Sequence, residues 1–246
     1  MEKNRLNSYY DVIIVGSGPA GLGAAFKLAE NSKLSILLLE KKKISSGGLR
    51  NDCKQNYTYP VGFPYEHWSK EDADVLLKEV AGHLNPKIED KINIEKYAAR
   101  AQKIGVEILS IDQAHVGTDK SSKLIGDLVE KLRALHVSVA LHTEVAYISA
   151  DTKSLSLSDG HSITFKHLIL APGRADYDWL QEQMDTLGVR YSDNIVDIGV
   201  RVETKEANYP IVRDYYDPKI LFPGKVRTFC TNSGCAHIVR EKYKGY

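Results

Sequence analysis

The chain has 246 residues, 43% hydrophobic and 26% charged, a composition typical of a folded globular protein rather than a disordered one. Its 33 basic and 32 acidic side chains nearly cancel, which excludes the basic excess that drives sequence-independent binding to nucleic acid. No apolar run approaches the roughly 20 residues that span a bilayer, and three cysteines suit neither a disulfide framework nor a zinc site. We therefore expect a cytoplasmic protein that binds no nucleic acid, membrane or metal.

The segment from residue 11 to residue 40 predicts a βαβ unit. Residues 12–15 (VIIV) form a short apolar run, typical of a strand that is buried on both faces of a parallel sheet. The stretch 19–30 is rich in Ala and Leu and predicts a helix, and residues 34–39 predict a second buried strand.

Further helices and strands are expected up to residue 170. Ser69, with Asp72 three residues later, has the pattern of a capping box that begins a helix. The other predicted helices span 92–103 and 121–135. Strands are predicted over 106–109 and 137–141, over 145–149, 153–158 and 161–165 as an antiparallel meander that turns at Asp159-Gly160, and over 168–170.

The composition changes near residue 176, which indicates a domain boundary. We assign residues 1–175 to a first domain, which contains a helical and loop excursion over about 50–115. Residues 176–246 are expected to begin a second, substrate-type domain, with a helix over 177–187 and a strand over 195–203.

Residues 16–21 have the sequence GSGPAG and match the GxGxxG pattern between a strand and a helix. The first glycine allows a tight turn, the second lets a pyrophosphate approach the backbone, and the third lets the helix pack against the strand. The phosphate charge would lie at the helix N-terminus. The predicted pyrophosphate-binding residues are Gly16, Ser17, Gly18, Pro19, Ala20 and Gly21.

Glu40 lies nineteen residues after Gly21, at the end of the second predicted strand. A carboxylate in this position can accept hydrogen bonds from a ribose diol and would repel a 2′-phosphate, which disfavours NADP at this site. A glycine-rich turn without a ligand is the alternative interpretation. The order of the later elements resembles the FAD domain of the glutathione-reductase-like flavoproteins, which favours FAD over NAD.

Five segments resemble a bacterial family of uncharacterised FAD-dependent dehydrogenases. They are SGGLRNDCKQNYTYPVGFP, HVGTDK, LILAPGR, VDIGVRVE and VRTFC. The resemblance implies that Glu40 and Lys41 lie along the adenosine ribose and that the backbone of Val145 pairs with adenine. It also implies that two further stretches approach the cofactor, namely Gly47-Gly48-Leu49 and Ala171-Pro172-Gly173.

The chain departs from this family in two places. Cys53 stands where relatives tend to have a glycine, and it is either a redox-active thiol or inert packing. Family members also continue through the rest of a substrate domain and return to the FAD domain, whereas this chain ends at Tyr246. On this comparison the chain lacks the family's C-terminal part, and the site for the flavin ring is expected to be incomplete.

Two side chains are candidates for catalysis near a flavin. Lys54 could stabilise negative charge on the reduced flavin, or be a solvated surface lysine. His115 has an intrinsic pKa suited to proton transfer, or belongs to a helix-entry motif in which Thr118 or Asp119 caps the helix 121–135. Arg174 could bind a phosphate or an acidic substrate, or form a surface ion pair.

Together these observations predict an α/β protein with a Rossmann-like FAD-binding domain and part of a second domain. The expected function is a FAD-dependent oxidoreductase or dehydrogenase that transfers a hydride through flavin N5 to or from an unknown small molecule. NAD(P)H or an electron-transfer protein is the expected partner. The alternatives are a non-catalytic FAD- or ADP-binding half of a split flavoprotein and, less favoured, a NAD-dependent dehydrogenase without flavin.

Overall fold

A computed structural model of the chain describes residues 6–43, 53–61, 63, 66–173, 176–192 and 198–231. Their contacts divide them into two units, each assembled from separate stretches of chain. The first unit comprises Met1–Cys53 and Gly117–Asn194, and the second comprises Lys54–Val116 and Ile195–Lys244.

The first unit is built on a six-stranded sheet with the order β6-β2-β1-β9-β8-β7. Its strands are β1 (Tyr9–Val15), β2 (Ile36–Leu39), β6 (Ser138–Ala140), β7 (Val145–Ser149), β8 (Ser154–Leu157) and β9 (Ser162–Leu170). Strands β6, β2, β1 and β9 run parallel, whereas β7, β8 and β9 form an antiparallel meander. The predicted α/β class, with a parallel sheet and a three-stranded meander, is confirmed.

Burial on both faces of the sheet explains why β1 and β2 are continuous apolar runs. Side chains of β1 and β2 form a single core with the inward side chains of the meander. The half-buried Trp179 and Leu187 pack against this core. The buried members of this core are Tyr10, Ile13, Val15, Leu37, Leu39, Val145, Ile148, Leu155, Leu157, Ile163 and Phe165.

Within the part of the chain that the structure describes, three α-helices belong to the first unit. Helix α1 (Pro19–Asn31) contacts β1 and β2, and α4 (Thr118–Ala134) contacts α1 and β6. Both bury an apolar stripe, which includes Phe26 of α1 and Leu132 of α4. The third helix is α5 (Tyr177–Thr186).

The second unit combines small sheets with short helices. A three-stranded antiparallel sheet consists of β4 (Glu107–Leu109), β10 (Lys219–Phe222) and β11 (Val226–Arg227), and β3 (Gln55–Asn56) pairs with β5 (Gln113–Ala114). The helices are α2 (Lys70–Leu84), α3 (Ile94–Gln102) and α6 (Ile211–Asp214). Tyr215 is fully buried and, together with Ile211 and Val212, forms the centre of a small core.

Three expectations about the elements are wrong. Residues 198–203, part of the strand predicted over 195–203, lie outside any strand. The strands predicted over 161–165 and 168–170 are one strand, β9, because its residues 162–164 pair with β8 and its residues 164–170 pair with β1. Helix α4 begins at Thr118 after Gly117 as its N-cap, so Thr118 and Asp119 lie inside its first turn and do not cap it.

The two units interleave along the chain, and α5, which follows residue 175, belongs to the first. The functional assignment of residues 1–175 and 176–246 as FAD-binding and substrate domains stays a prediction. Over the ranges that the structure describes, no helix has the length and apolar character needed to cross a membrane.

Candidate functional site

The loops that follow the four parallel strands meet at one edge of the first unit's sheet. Gly16 N donates to Leu39 O at 2.8 Å, Glu40 N to Ala140 O at 2.9 Å, and Ala171 N to Val15 O at 2.7 Å. These bonds extend the ladders beyond the strand ends and hold the loops beside one another. In open α/β sheets this edge, at the carboxyl ends of the strands, is where ligands bind.

Each glycine of the loop after β1 is required for a different reason. Gly16 has φ +98°, and a Cβ there would lie 2.2 Å from Ala171 O. A Cβ on Gly21 would lie 1.9 Å from Gly16 O, so this glycine lets α1 approach the loop. A Cβ on Gly18 would meet no atom within 4 Å, so Gly18 borders open space. We call the loop from Gly16 to Gly21 the glycine cradle. Its confined glycines at both ends and the open space at Gly18 are the features that let a pyrophosphate approach the backbone.

The electrostatics of the helix start agree with this shape. Gly18 is the N-cap of α1 and has no side chain to bind the exposed N–H groups, and Pro19 and Ala20 begin the helix. The first turn of α1 contains no acidic residue, so no side-chain charge in that turn offsets the positive end of the helix dipole. This arrangement favours an anionic group beside Gly18.

Glu40 is 9% exposed and its carboxylate is tied to the glycine loop. Ser17 donates to Oε2 from both its backbone N (3.2 Å) and its hydroxyl (2.6 Å), and Lys42 N donates to Oε1 at 2.8 Å. A carboxylate has about four acceptor positions. These three bonds leave Oε1 able to accept a ribose hydroxyl, and they fix the carboxylate next to the loop.

Of the other residues expected at the cofactor, the structure describes Lys41, Val145, Ala171, Pro172 and Gly173. Lys41 forms an ion pair with Asp176. Val145 is 5% exposed, and its side chain belongs to the core, while its backbone lies in β7, an edge strand of the six-stranded sheet. Ala171 and Pro172 border Gly16, and Gly173 is exposed at φ +73°. Gly47, Gly48, Leu49 and Arg174 lie outside the described residues.

Cys53 is buried, with 2% exposure, and has φ +53°. This is the left-handed region that glycine adopts without strain. Burial limits access to the thiol, as expected of a packing role.

The second unit brings together Lys54 and His115, both predicted as catalytic. Lys54 forms an ion pair with Asp217, which is fully buried, and His115 Nε2 lies 3.8 Å from Asp217 Oδ2. Lys219 Nζ lies 2.8 Å from the other carboxylate oxygen. We call Lys54, His115, Asp217 and Lys219 the Asp217 cluster. Sequence reasoning missed Asp217 and Lys219, because an Asp-Pro pair among tyrosines has the pattern of an ordinary turn.

The two lysines of the cluster titrate differently. Burial acts to lower the pKa of Lys54, but the hydrogen bond to Asp217 and further interactions raise it above its ordinary value. Burial, together with the neighbouring Lys54, lowers the pKa of Lys219 to about 8 despite its bond to Asp217. The described residues contain no group of three or more His, Cys, Asp or Glu side chains that could hold a metal.

Several solved structures are similar to this chain over most of its length. Glycine oxidase from Geobacillus kaustophilus is 18% identical with a TM-score of 0.49, covering 74% of this chain and 59% of that one. L-α-glycerophosphate oxidase from Mycoplasma pneumoniae, solved with FAD bound, is 17% identical with a TM-score of 0.47, covering 72% and 57%.

Thiamine thiazole synthase from Sulfolobus acidocaldarius is 29% identical over 161 residues, which are 61% of this chain. The match covers 55% of that synthase, so the chain spans little more than half the length of this curated relative.

A family model described as pyridine nucleotide-disulphide oxidoreductase matches residues 10–205, most of the chain. The matched range contains the six-stranded sheet from its second residue, Tyr10, onward, together with the glycine cradle and Glu40. It supports FAD as the cofactor, as the sequence predicted, and an oxidoreductase type of protein. The chain belongs to the pyridine nucleotide-disulphide oxidoreductase family.

Proposed function

We propose that this chain is a FAD-dependent oxidoreductase whose first unit holds the ADP half of FAD. The observation that carries the proposal is the open position of Gly18, where a Cβ would meet nothing, beside the fixed carboxylate of Glu40. The loop from Gly16 to Gly21 would bind the pyrophosphate through backbone N–H groups, and Glu40 would accept a ribose hydroxyl. When bound, FAD supplies hydride-transfer chemistry through its N5 atom.

The finer family assignment is also a proposal. The five segments quoted above support a place among the bacterial uncharacterised FAD-dependent dehydrogenases, and four of them lie entirely within residues 10–205. In this assignment Lys41, Gly47, Gly48, Leu49, Val145, Ala171, Pro172, Gly173 and Arg174 complete the cofactor site.

Lys54 and His115 are the proposed catalytic residues. The ion pair with Asp217 favours the charged form of Lys54, which suits a group that stabilises negative charge on a reduced cofactor. His115 would move a proton at its Nε2, the atom that lies nearest to the Asp217 carboxylate. The substrate would be a small molecule, with NAD(P)H or a protein as the electron partner, and the protein would act in the cytoplasm.

A second candidate function is a nucleotide-binding module without catalysis of its own. The observation in its favour is that the residues proposed to hold the nucleotide, the glycine cradle and Glu40, all belong to the first unit. Such a module would keep the glycine cradle and Glu40 but would need another chain to complete a reaction.

The visible spectrum of the purified protein, followed by identification of the ligand released on heating, tests the proposal. We expect a yellow protein that releases one FAD per chain. A colourless protein that binds ADP but not FAD would favour the second candidate. A protein that binds NADH and no flavin would contradict the assignment of FAD as the cofactor.

A further inference from the structure

In the second unit, the fully buried carboxylate of Asp217 binds the ammonium groups of Lys54 and Lys219. Asp217 Oδ1 accepts from Lys219 Nζ and from Thr231 N, both at 2.8 Å, and Oδ2 accepts from Lys54 Nζ. His115 Nε2 lies 3.8 Å from Oδ2, and the His115 ring packs edge-to-face on Tyr216 with 4.8 Å between centroids. Lys54 precedes β3, His115 follows β5 and Lys219 begins β10, so separate segments of the same unit bring these side chains to Asp217.

The charges of the Asp217 cluster do not balance. With both lysines protonated, two positive charges face one negative charge, which leaves an excess of one positive charge. The side chains of Lys54 and Lys219 are only 22% and 17% exposed, so water offsets this excess poorly. Among the residues that the structure describes, loss of the Lys219 proton or the binding of an anion would remove this excess.

We propose that the Asp217 cluster binds the carboxylate group of a small molecule. A singly charged carboxylate neutralises the excess, whereas a dianionic phosphate would leave the cluster negative. Each ammonium group has three donors. Lys219 also donates to Phe229 O at 3.0 Å, so one of its donors is left for a ligand, and the bond of Lys54 to Asp217 leaves donors there as well. The partial exposure of both lysines gives a small anion access. This site lies within the second unit, so its failure would leave the proposed FAD site in the first unit intact.

The pH dependence of binding follows from Lys219, whose pKa is about 8. Its ammonium form, which binds the anion, predominates below pH 8 and is lost as the pH rises through 8. We expect affinity to fall about tenfold from pH 7 to pH 9. The other titratable groups that interact with the cluster are Tyr209, Tyr215 and Cys230. The pKa values of both tyrosines are raised, chiefly by burial, so these two side chains stay neutral over this range.

Ligand-detected NMR titration of the full chain with acetate, at constant ionic strength in chloride, tests the proposal. Lys219→Met should weaken acetate binding at least tenfold at pH 7, because it leaves the neutral pair of Lys54 and Asp217. Lys219→Arg should keep binding and lose the decrease between pH 7 and pH 9, because the guanidinium stays charged. Lys87→Met, which removes an exposed lysine from the same unit, is the matched control and should bind like the wild type.

Three results would overturn the proposal. One is acetate binding no stronger than that of chloride, and another is equal acetate affinity in the wild type and Lys219→Met. The third is inorganic phosphate binding at least tenfold more tightly than acetate, which would assign the site to another ligand class. If Lys219→Met does not fold, the pH profiles of the wild type and Lys219→Arg decide the question, and parallel profiles would contradict the role of Lys219.

Discussion

At the scale of single residues, the three motif glycines of the nucleotide loop meet different constraints. Gly16 and Gly21 are confined by backbone atoms, whereas Gly18 faces space that the protein leaves open. The first two therefore matter for folding, and Gly18 matters only when a ligand is present. The motif identifies all three positions, but only the coordinates separate these roles.

Gly21→Ala should destabilise the cofactor-free protein by about 1–3 kcal/mol, because the new Cβ would overlap with the Gly16 carbonyl. Gly23→Ala is the matched control in the same helix, since a Cβ there meets nothing within 4 Å. It should stabilise the protein by up to about 1 kcal/mol through helix propensity. Urea unfolding of both variants measures the difference, and equal free energies of unfolding would contradict the described packing of Gly21.

Glu40→Gln tests the bonds between β2 and the glycine loop. Glutamine keeps the shape but turns one acceptor oxygen into a donor, which then faces Ser17 or Lys42, both of which donate. We expect a loss of about 1–3 kcal/mol in the free energy of unfolding without cofactor. Glu182→Gln, the same change at an exposed glutamate of the first unit, is the matched control and should leave the free energy of unfolding unchanged. A Glu40→Gln variant as stable as the wild type would show that the carboxylate is not held as described.

The sequence could predict Gly16 to Gly21 and Glu40 because a local pattern fixes them: strand, tight turn, helix, second strand and terminal acid. It predicted Lys54 and His115 only as separate possibilities. Asp217, the carboxylate that brings them together, lies 163 residues from Lys54. A contact at that separation depends on tertiary packing and leaves no periodic signal.

At the scale of elements, long apolar or amphipathic segments were predictable and short ones were not. The buried strands β1 and β2 and helices α1 and α4 follow clear periodicities. Strands β3, β5 and β11 have two residues each, too few for any period to appear. Residues 198–203 alternate as a strand should, but alternation specifies only the faces and does not supply a partner strand.

The start of α2 is a local feature that the sequence predicted correctly. Ser69 accepts a hydrogen bond from Asp72 N at 3.1 Å, which satisfies an N–H group that the helix leaves exposed. Ser69→Ala should therefore cost about 1 kcal/mol of stability, measured by urea unfolding. Lys78→Ala, an exposed change in the middle of the same helix, should have little effect. Equal losses in the two variants would mean that the cap contributes nothing specific.

At the scale of the whole molecule, neither unit is a continuous stretch of chain. The first closes only when residues after Gly117 return to the sheet that β1 and β2 begin, and the second joins Lys54–Val116 to Ile195–Lys244. A prediction that reads along the chain finds changes of composition, and so it placed its boundary at residue 175. The excursion predicted over about 50–115 nearly coincides with the Lys54–Val116 segment of the second unit, but composition does not show which later segment joins it.

The residues proposed to hold the ADP half of FAD, namely the glycine loop and Glu40, belong by contrast to the first unit, so we expect FAD binding to stabilise that unit. A FAD concentration 100 times its dissociation constant adds about 2.7 kcal/mol to the stability of the state that binds it.

Titration of the cofactor-free protein with FAD, for the wild type and Gly18→Ala, tests the central claim most directly. Gly18 has φ −67°, which alanine adopts readily, and a Cβ there meets no protein atom. We expect Gly18→Ala to unfold at the same urea concentration as the wild type without FAD, yet to bind FAD at least tenfold more weakly. A Gly18→Ala variant that binds FAD as tightly as the wild type would contradict the claim that the pyrophosphate lies against this loop.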